Sequence, residues 1–180
     1  MNRSYNITKT TRESALATKL DQKIRRGKYD YVLDCHTTTT EVGCCFIVSE
    51  FSEVQKQIIN ASARINKILL IPESISKNSL IGVIKNSISI ECEQSLSTTA
   101  DVLEELAAMV NRLSKGLSSP ATTRHLYKVS SFIDASSLKD GVVLQNYEEC
   151  DGKYPVLCGG DMSTRTYRGF WADSRQQVSL

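Results

Sequence analysis

The chain has 180 residues, of which 41% are hydrophobic, 23% are charged and only three are prolines. This composition is that of an ordinary globular protein, and it excludes disordered and fibrous classes. The net charge of +2 is too small to argue for a nucleic-acid partner. The longest apolar runs, Cys44–Val48 and Ile68–Ile71, are too short to cross a bilayer. We therefore expect a protein that binds neither nucleic acid nor a membrane.

The cysteines and the N-terminus favour a reducing compartment. Residues Met1–Asn6 contain no apolar signal-peptide core, and the six cysteines include no Cys-x-x-Cys pair. A chain of this length without a signal peptide is not typical of a disulfide scaffold. The sequence therefore predicts free thiols in a cytoplasmic protein.

The first predicted element is an amphipathic helix over residues Thr11–Arg26. Leu16, Leu20 and Ile24 recur at the spacing of one helix face, and Gly27 follows where helices commonly end. Residues 1–28 carry eight Lys/Arg and two Asp/Glu. A basic run of this kind is usually a solvated helix face, and nucleic-acid binding is the less favoured alternative.

Strands and helices then alternate through the first two thirds of the chain. A parallel sheet covered by helices is the usual outcome of such alternation. We therefore predict an α/β fold with a mostly parallel sheet and flanking helices. The predicted strands are Tyr29–Cys35, Cys44–Val48, Lys67–Ile71 and Ile88–Cys92, and the predicted helices are Glu53–Ile65 and Ser97–Leu113, with Thr98 and Asp101 as a cap pair.

The composition changes at Ser114–Pro120, which contains Gly, Pro and three serines. Beyond it the helical period disappears, and we predict short strands at Leu126–Ile133, Gly141–Leu144 and Tyr154–Leu157. The predicted organisation is therefore an α/β domain over residues 1–116, a linker over 117–123 and a small C-terminal β domain over 124–180.

Two residues are candidates for chemistry. His36 follows a predicted strand and opens a run of threonines, at the strand end where α/β proteins bind ligands. A histidine that only caps the loop is an equally good interpretation of that position. Glu91 interrupts an apolar strand, where a carboxylate must be paired, protonated or metal-facing. Its alternative interpretation is a strand-end carboxylate paired with a lysine such as Lys85.

Short motifs in a fixed order resemble the aspartoacylase and succinylglutamate desuccinylase family. The main one is Asp34-Cys35-His36-Thr37-Thr38-Thr39, followed by Gly43-Cys44. The others, in chain order, are Asn2-Arg3-Ser4-Tyr5, Ile90-Glu91-Cys92, Ala100-Asp101-Val102-Leu103 and Tyr154-Pro155-Val156-Leu157.

The resemblance implies a zinc-dependent hydrolase with a carboxypeptidase-like α/β domain and a C-terminal β domain. Its substrate would be an N-acyl amino acid, of the acidic N-acetylaspartate type, cleaved at the amide bond. The resemblance makes His36 a ligand of one Zn²⁺, Glu91 the general base and acid, and Asn2 and Arg3 the groups that hold a substrate carboxylate.

The sequence also departs from this family. The family's first two zinc ligands come from a His-x-x-Glu motif upstream of the Asn-Arg segment, whereas here Met1 directly precedes Asn2. Glu93 stands where the family has glycine, and the role of Tyr167 is not carried over. We therefore expect an N-terminally truncated hydrolase that lacks two zinc ligands. The alternative is an inactive remnant that binds acidic metabolites or a protein partner, and a homo-oligomer is left open.

Overall fold

The computed structural model describes residues 5, 11–96, 99–119, 122–134, 136, 138, 142–159 and 168–180. Seven strands form one sheet in the order β1-β4-β2-β3-β5-β7-β6. The strands are β1 (Val32–Thr38), β2 (Cys44–Val48), β3 (Lys67–Leu70), β4 (Ser87–Glu93), β5 (Arg124–Phe132), β6 (Tyr154–Gly159) and β7 (Arg168–Val178). The helices are α1 (Arg12–Gly27), α2 (Glu53–Asn60), α3 (Glu73–Ser76), α4 (Leu80–Val83) and α5 (Ala100–Ser114).

The α/β class is confirmed, and the sheet is mixed. The β1–β4, β2–β3 and β3–β5 pairs are parallel. Strand β2 runs antiparallel to β4, and β7 runs antiparallel to both β5 and β6. Strands from both sides of the predicted 117–123 linker therefore belong to one hydrogen-bonded sheet, and the division into two domains stays a prediction.

Capping side chains begin the two helices that flank the first strands. The Thr11 hydroxyl accepts a hydrogen bond from the Ser14 backbone N–H at 3.1 Å, and Ser14 Oγ accepts one from the Thr11 N–H at 2.9 Å. Ser52 and Gln55 form the same reciprocal box at the start of α2. The buried Gln55 side chain also donates to the Lys85 carbonyl at 2.8 Å, which fixes the chain just before β4.

Successive side chains of the central strands β2 and β4 point alternately into two apolar cores, one on each face of the sheet. Phe46 and Ile90 point into a core that α2 and α5 cover, together with Met109 of α5. Cys45 and Ile47 point to the opposite face, which Ile81 and the C-terminal strands cover. Because successive strand residues face opposite sides, β2 contributes to both cores.

The predicted positions of the helices and strands agree with the structure apart from local differences. Strand β1 extends through His36 to Thr38, so His36 lies within the strand instead of after it. The predicted helix ending at Ile65 stops at Asn60. The described part of the predicted strand Gly141–Leu144 is not a strand, and β7 was not predicted. Of the predicted cap pair of α5, Thr98 lies outside the described residues.

We expect Phe46→Ala to lower the free energy of unfolding by about 3–5 kcal/mol, because removing a fully buried ring leaves a cavity between β2 and the helices. Urea unfolding of the two proteins measures this difference. Val143→Ala is the control, since Val143 is 84% exposed and its truncation should change stability little. Equal losses for the two variants would contradict this assignment of the core.

Candidate active site

Parallel pairing of β1 with β4 brings the two candidate residues side by side. His36 is the register partner of Glu91, and Asp34 is the partner of Ser89. Residues two apart on a strand share a face, so all four side chains lie on the same side of the sheet. The sheet thus brings together His36 and Glu91, which are far apart in sequence.

The imidazole of His36 is held by a carboxylate. Its Nε2 lies 2.7 Å from Asp34 Oδ2, and Ser89 Oγ donates to the same oxygen at 3.1 Å. The hydrogen bond to Asp34 raises the pKa of His36, the charges of Asp34 and Glu91 raise it further, and burial opposes them. Nδ1 has no hydrogen-bond partner among the residues that the structure describes.

Glu91 is a half-buried carboxylate that forms no ion pair with a lysine or arginine among the described residues. Burial is the largest cause of its raised pKa, the charge of Asp34 adds to the rise, and His36 opposes it. Among the described residues there is no ion pair between Glu91 and Lys85. A carboxyl with a raised pKa can both accept and return a proton near neutral pH.

Glu91 opens onto a cavity of about 490 Å³. Its described polar lining consists of Glu91 with small hydroxyl side chains, and its walls are mainly apolar. The hydroxyl residues are Thr38, Ser76, Ser79 and Ser89, and the apolar ones are Ile47, Ile71, Ile75, Ile81, Phe132, Ile133, Leu157 and Phe170. Neither lysine nor arginine occurs among these described residues. A cavity of this size suits a small organic molecule.

His36 fits one position of a zinc site. Metal-bound histidines usually donate their second ring N–H to a carboxylate, as Asp34 allows here. The structure's described residues include no group of three or more His, Cys, Asp and Glu side chains that could hold a metal ion. The other histidine, His125, lies on β5, four strand spacings or about 19 Å from β1, where it contacts Arg175. If a catalytic zinc binds here, His36 would be one of the three protein ligands that such a zinc usually has.

The remaining sequence-predicted residues, Asn2, Arg3 and Tyr167, lie outside the described residues. Ser89 is the site residue that sequence reasoning missed. The alternation of Ser87, Ser89 and Glu91 along one face of β4, whose other residues are mostly apolar, is the pattern that could have indicated it.

Comparison with solved structures identifies proteins of the same architecture. A point mutant of murine aminoacylase 3 superposes with a TM-score of 0.68 at 18% identity, covering 99% of this chain and 76% of that one. Unsubstituted murine aminoacylase 3 gives 0.66 at 18%, covering 99% and 77%. A succinylglutamate desuccinylase / aspartoacylase family protein from Shewanella amazonensis SB2B gives 0.51 at 14%, covering 98% and 73%. This chain has their fold.

The resemblance seen in the motifs is thereby confirmed at the level of the fold. No family model matches the sequence, and no curated protein matches it significantly. Across the described residues, no helix is both long enough and apolar enough to span a membrane.

We expect Asp34→Asn to destabilise the metal-free protein more at about pH 5.5 than at about pH 8.5. The folded state raises the pKa of His36, so the stability from its pairing with Asp34 is complete below the unfolded value of about 6.5. That contribution is lost as the pH rises through the folded pKa. Urea unfolding at both pH values measures the difference. Asp30→Asn, at an exposed position, should show no such dependence, and an equal loss at both pH values for Asp34→Asn would contradict the pairing.

Proposed function

We propose that the protein is a zinc-dependent amide hydrolase that deacylates N-acyl amino acids. The observation that carries the proposal is the register that sets His36 beside Glu91, which lines the cavity. The fold shared with proteins named aminoacylase supports the same reaction class.

His36 would bind the metal through Nδ1, because Asp34 engages Nε2. This hydrogen bond sets the tautomer and the ring orientation, and Ser89 orients the Asp34 carboxylate in turn. Zinc, when bound, supplies Lewis-acid polarisation of the scissile carbonyl and of a water. The other protein ligands would have to come from outside the described residues.

Glu91 would move the protons of the reaction. Its carboxylate removes a proton from the attacking water and returns it to the nitrogen of the leaving amine. Burial raises the pKa of Glu91 and so favours its protonated form, which helps the carboxylate accept the proton in the first transfer.

The cavity favours a substrate with an apolar side chain. The family resemblance implies an acidic substrate held by Asn2 and Arg3, which lie outside the described residues. An acidic side chain needs a cation or several N–H donors, and the described lining offers apolar groups such as Ile75, Ile81 and Phe170. We therefore assign an aliphatic or aromatic N-acyl amino acid as the preferred substrate class.

A catalytically inactive binding module is the second candidate, supported by the single metal ligand among the described residues. The hydrolase and the binding module predict different metal contents for the purified protein. Near-stoichiometric zinc in the purified 180-residue protein would favour the hydrolase, whereas binding of an N-acyl amino acid without zinc and without turnover would favour the binding module.

We expect Glu91→Gln to lower kcat for amide hydrolysis by at least about 10²-fold, because glutamine cannot transfer the protons. Bound zinc, measured by elemental analysis, should be unchanged, since Glu91 is not a metal ligand. Glu93→Gln is the matched control on the same strand: its carboxylate accepts a hydrogen bond from the Gly43 N–H at 3.3 Å, which glutamine can also do. Retained activity in Glu91→Gln would remove Glu91 from the mechanism.

We expect kcat/KM for N-acetylphenylalanine or N-acetylleucine to exceed that for N-acetylaspartate by at least about tenfold. The reason is that burying an apolar side chain against the isoleucine walls is favourable, whereas burying an unpaired carboxylate is costly. Initial rates of amine release over the substrate panel measure the ratio. A preference for N-acetylaspartate would instead support the acidic substrate class and a role for Arg3.

A further inference from the structure

Two thiols face each other across the central strands. Cys44 of β2 is the antiparallel register partner of Cys92 of β4. The Glu93 N–H donates to the Gly43 carbonyl at 2.7 Å, and this bond between the residues flanking the two cysteines marks a non-hydrogen-bonded pair. The Cα atoms of such pairs lie about 4.5 Å apart, inside the range of about 4.4–6.8 Å that a disulfide spans.

The two thiols already interact through a side-chain hydrogen bond. Cys92 is 4% exposed and packs in the core beneath α2 and α5. Cys44 is half-buried and lines a second cavity, of about 190 Å³, beside Lys67 and α5. This cavity lies on the face of the sheet opposite to Glu91, because Cys92 and Glu91 are consecutive strand residues.

The surroundings make Cys44 the more nucleophilic of the pair. The hydrogen bond from Cys92 and the nearby charge of Lys67 lower the pKa of Cys44, whereas burial and Glu93 oppose them. The same hydrogen bond raises the pKa of Cys92, with burial adding to the rise. The reactive thiolate therefore forms at the sulfur that faces the cavity, and the resolving thiol lies directly across the strand.

We propose that Cys44 and Cys92 form a reversible cross-strand disulfide when a peroxide enters the second cavity. The Cys44 thiolate attacks one oxygen of hydrogen peroxide, the O–O bond breaks, and the leaving hydroxide takes a proton to become water. Cys92 sulfur then attacks the sulfenic sulfur of Cys44, the S–S bond forms, and the S–O bond breaks with loss of a second water that takes the Cys92 proton. Two thiols and one peroxide thus give one disulfide and two waters, and a dithiol reverses the change.

Cys45, next to Cys44 in the sequence, is not expected to take part in the disulfide. Cys45 points to the opposite face, where burial raises its pKa to about 12. It therefore remains a thiol and faces away from both partners. The link would join β2 to β4 next to Glu91, because Cys45 and Glu91 form the adjacent register pair.

The test uses the reduced 180-residue protein treated with a small excess of hydrogen peroxide. After quenching, denaturation and alkylation, mass spectrometry should show that the six thiols have decreased by two. Peptide mapping should find Cys44 linked to Cys92, and dithiothreitol should restore all six. The oxidised protein should also have a higher Tm than the reduced protein, because the link constrains the unfolded chain.

Matched variants separate this pair from the other thiols. Cys44→Ser and Cys92→Ser should each abolish the loss of two thiols, whereas Cys150→Ser, in a turn outside the central strands, should retain it. Six unmodified thiols after peroxide treatment would overturn the proposal. A link between other cysteines, or a Cys44 sulfinic acid beside a free Cys92, would also overturn it. If a serine variant does not fold, the peptide map of the unsubstituted protein decides.

Discussion

The pairing of β4 with β1 on one side and β2 on the other is the constraint on which both faces of the sheet depend. Glu91 meets His36 through the parallel pair, and Cys92 meets Cys44 through the antiparallel pair. A slip of one residue would place Glu91 in the apolar core and move Ile90 into the cavity. The buried side chains of β2 and β4 make such a slip costly, so the core fixes the geometry of the site.

The alternation of apolar and polar residues along β4 shows how much of the structure can be predicted from the sequence. Ile88, Ile90 and Cys92 alternate with Ser89 and Glu91, which is sufficient to predict a strand with one apolar face. The strand order could not be predicted, because inserting β4 between β1 and β2 depends on contacts between residues far apart in sequence. The position of Glu91 relative to His36 depends on that order.

Strands rich in polar residues are the elements that the sequence pattern predicts least well. Thr37 and Thr38 read as a loop, yet their backbones continue the parallel ladder with β4, which places His36 inside β1. Strand β7 carries the polar run Asp173 to Gln177 and is hydrogen-bonded to strands on both sides. Tertiary pairing determines the conformation of such segments, because their own hydrophobic pattern is too weak to do so.

The carboxylates of Glu105 and Glu91 are both at least half-buried, but they differ in their hydrogen bonds. Glu105 is 6% exposed, and it accepts hydrogen bonds from Ser62 Oγ at 2.7 Å and from the Ala63 N–H at 2.6 Å, so its burial is compensated. The carboxylate of Glu91 forms no hydrogen bond or ion pair with the residues that the structure describes. An apolar side chain there would pack against Ile47 and Ile71 without that cost. The contacts of the described residues therefore do not account for Glu91, which supports the proposal that it transfers protons beside His36.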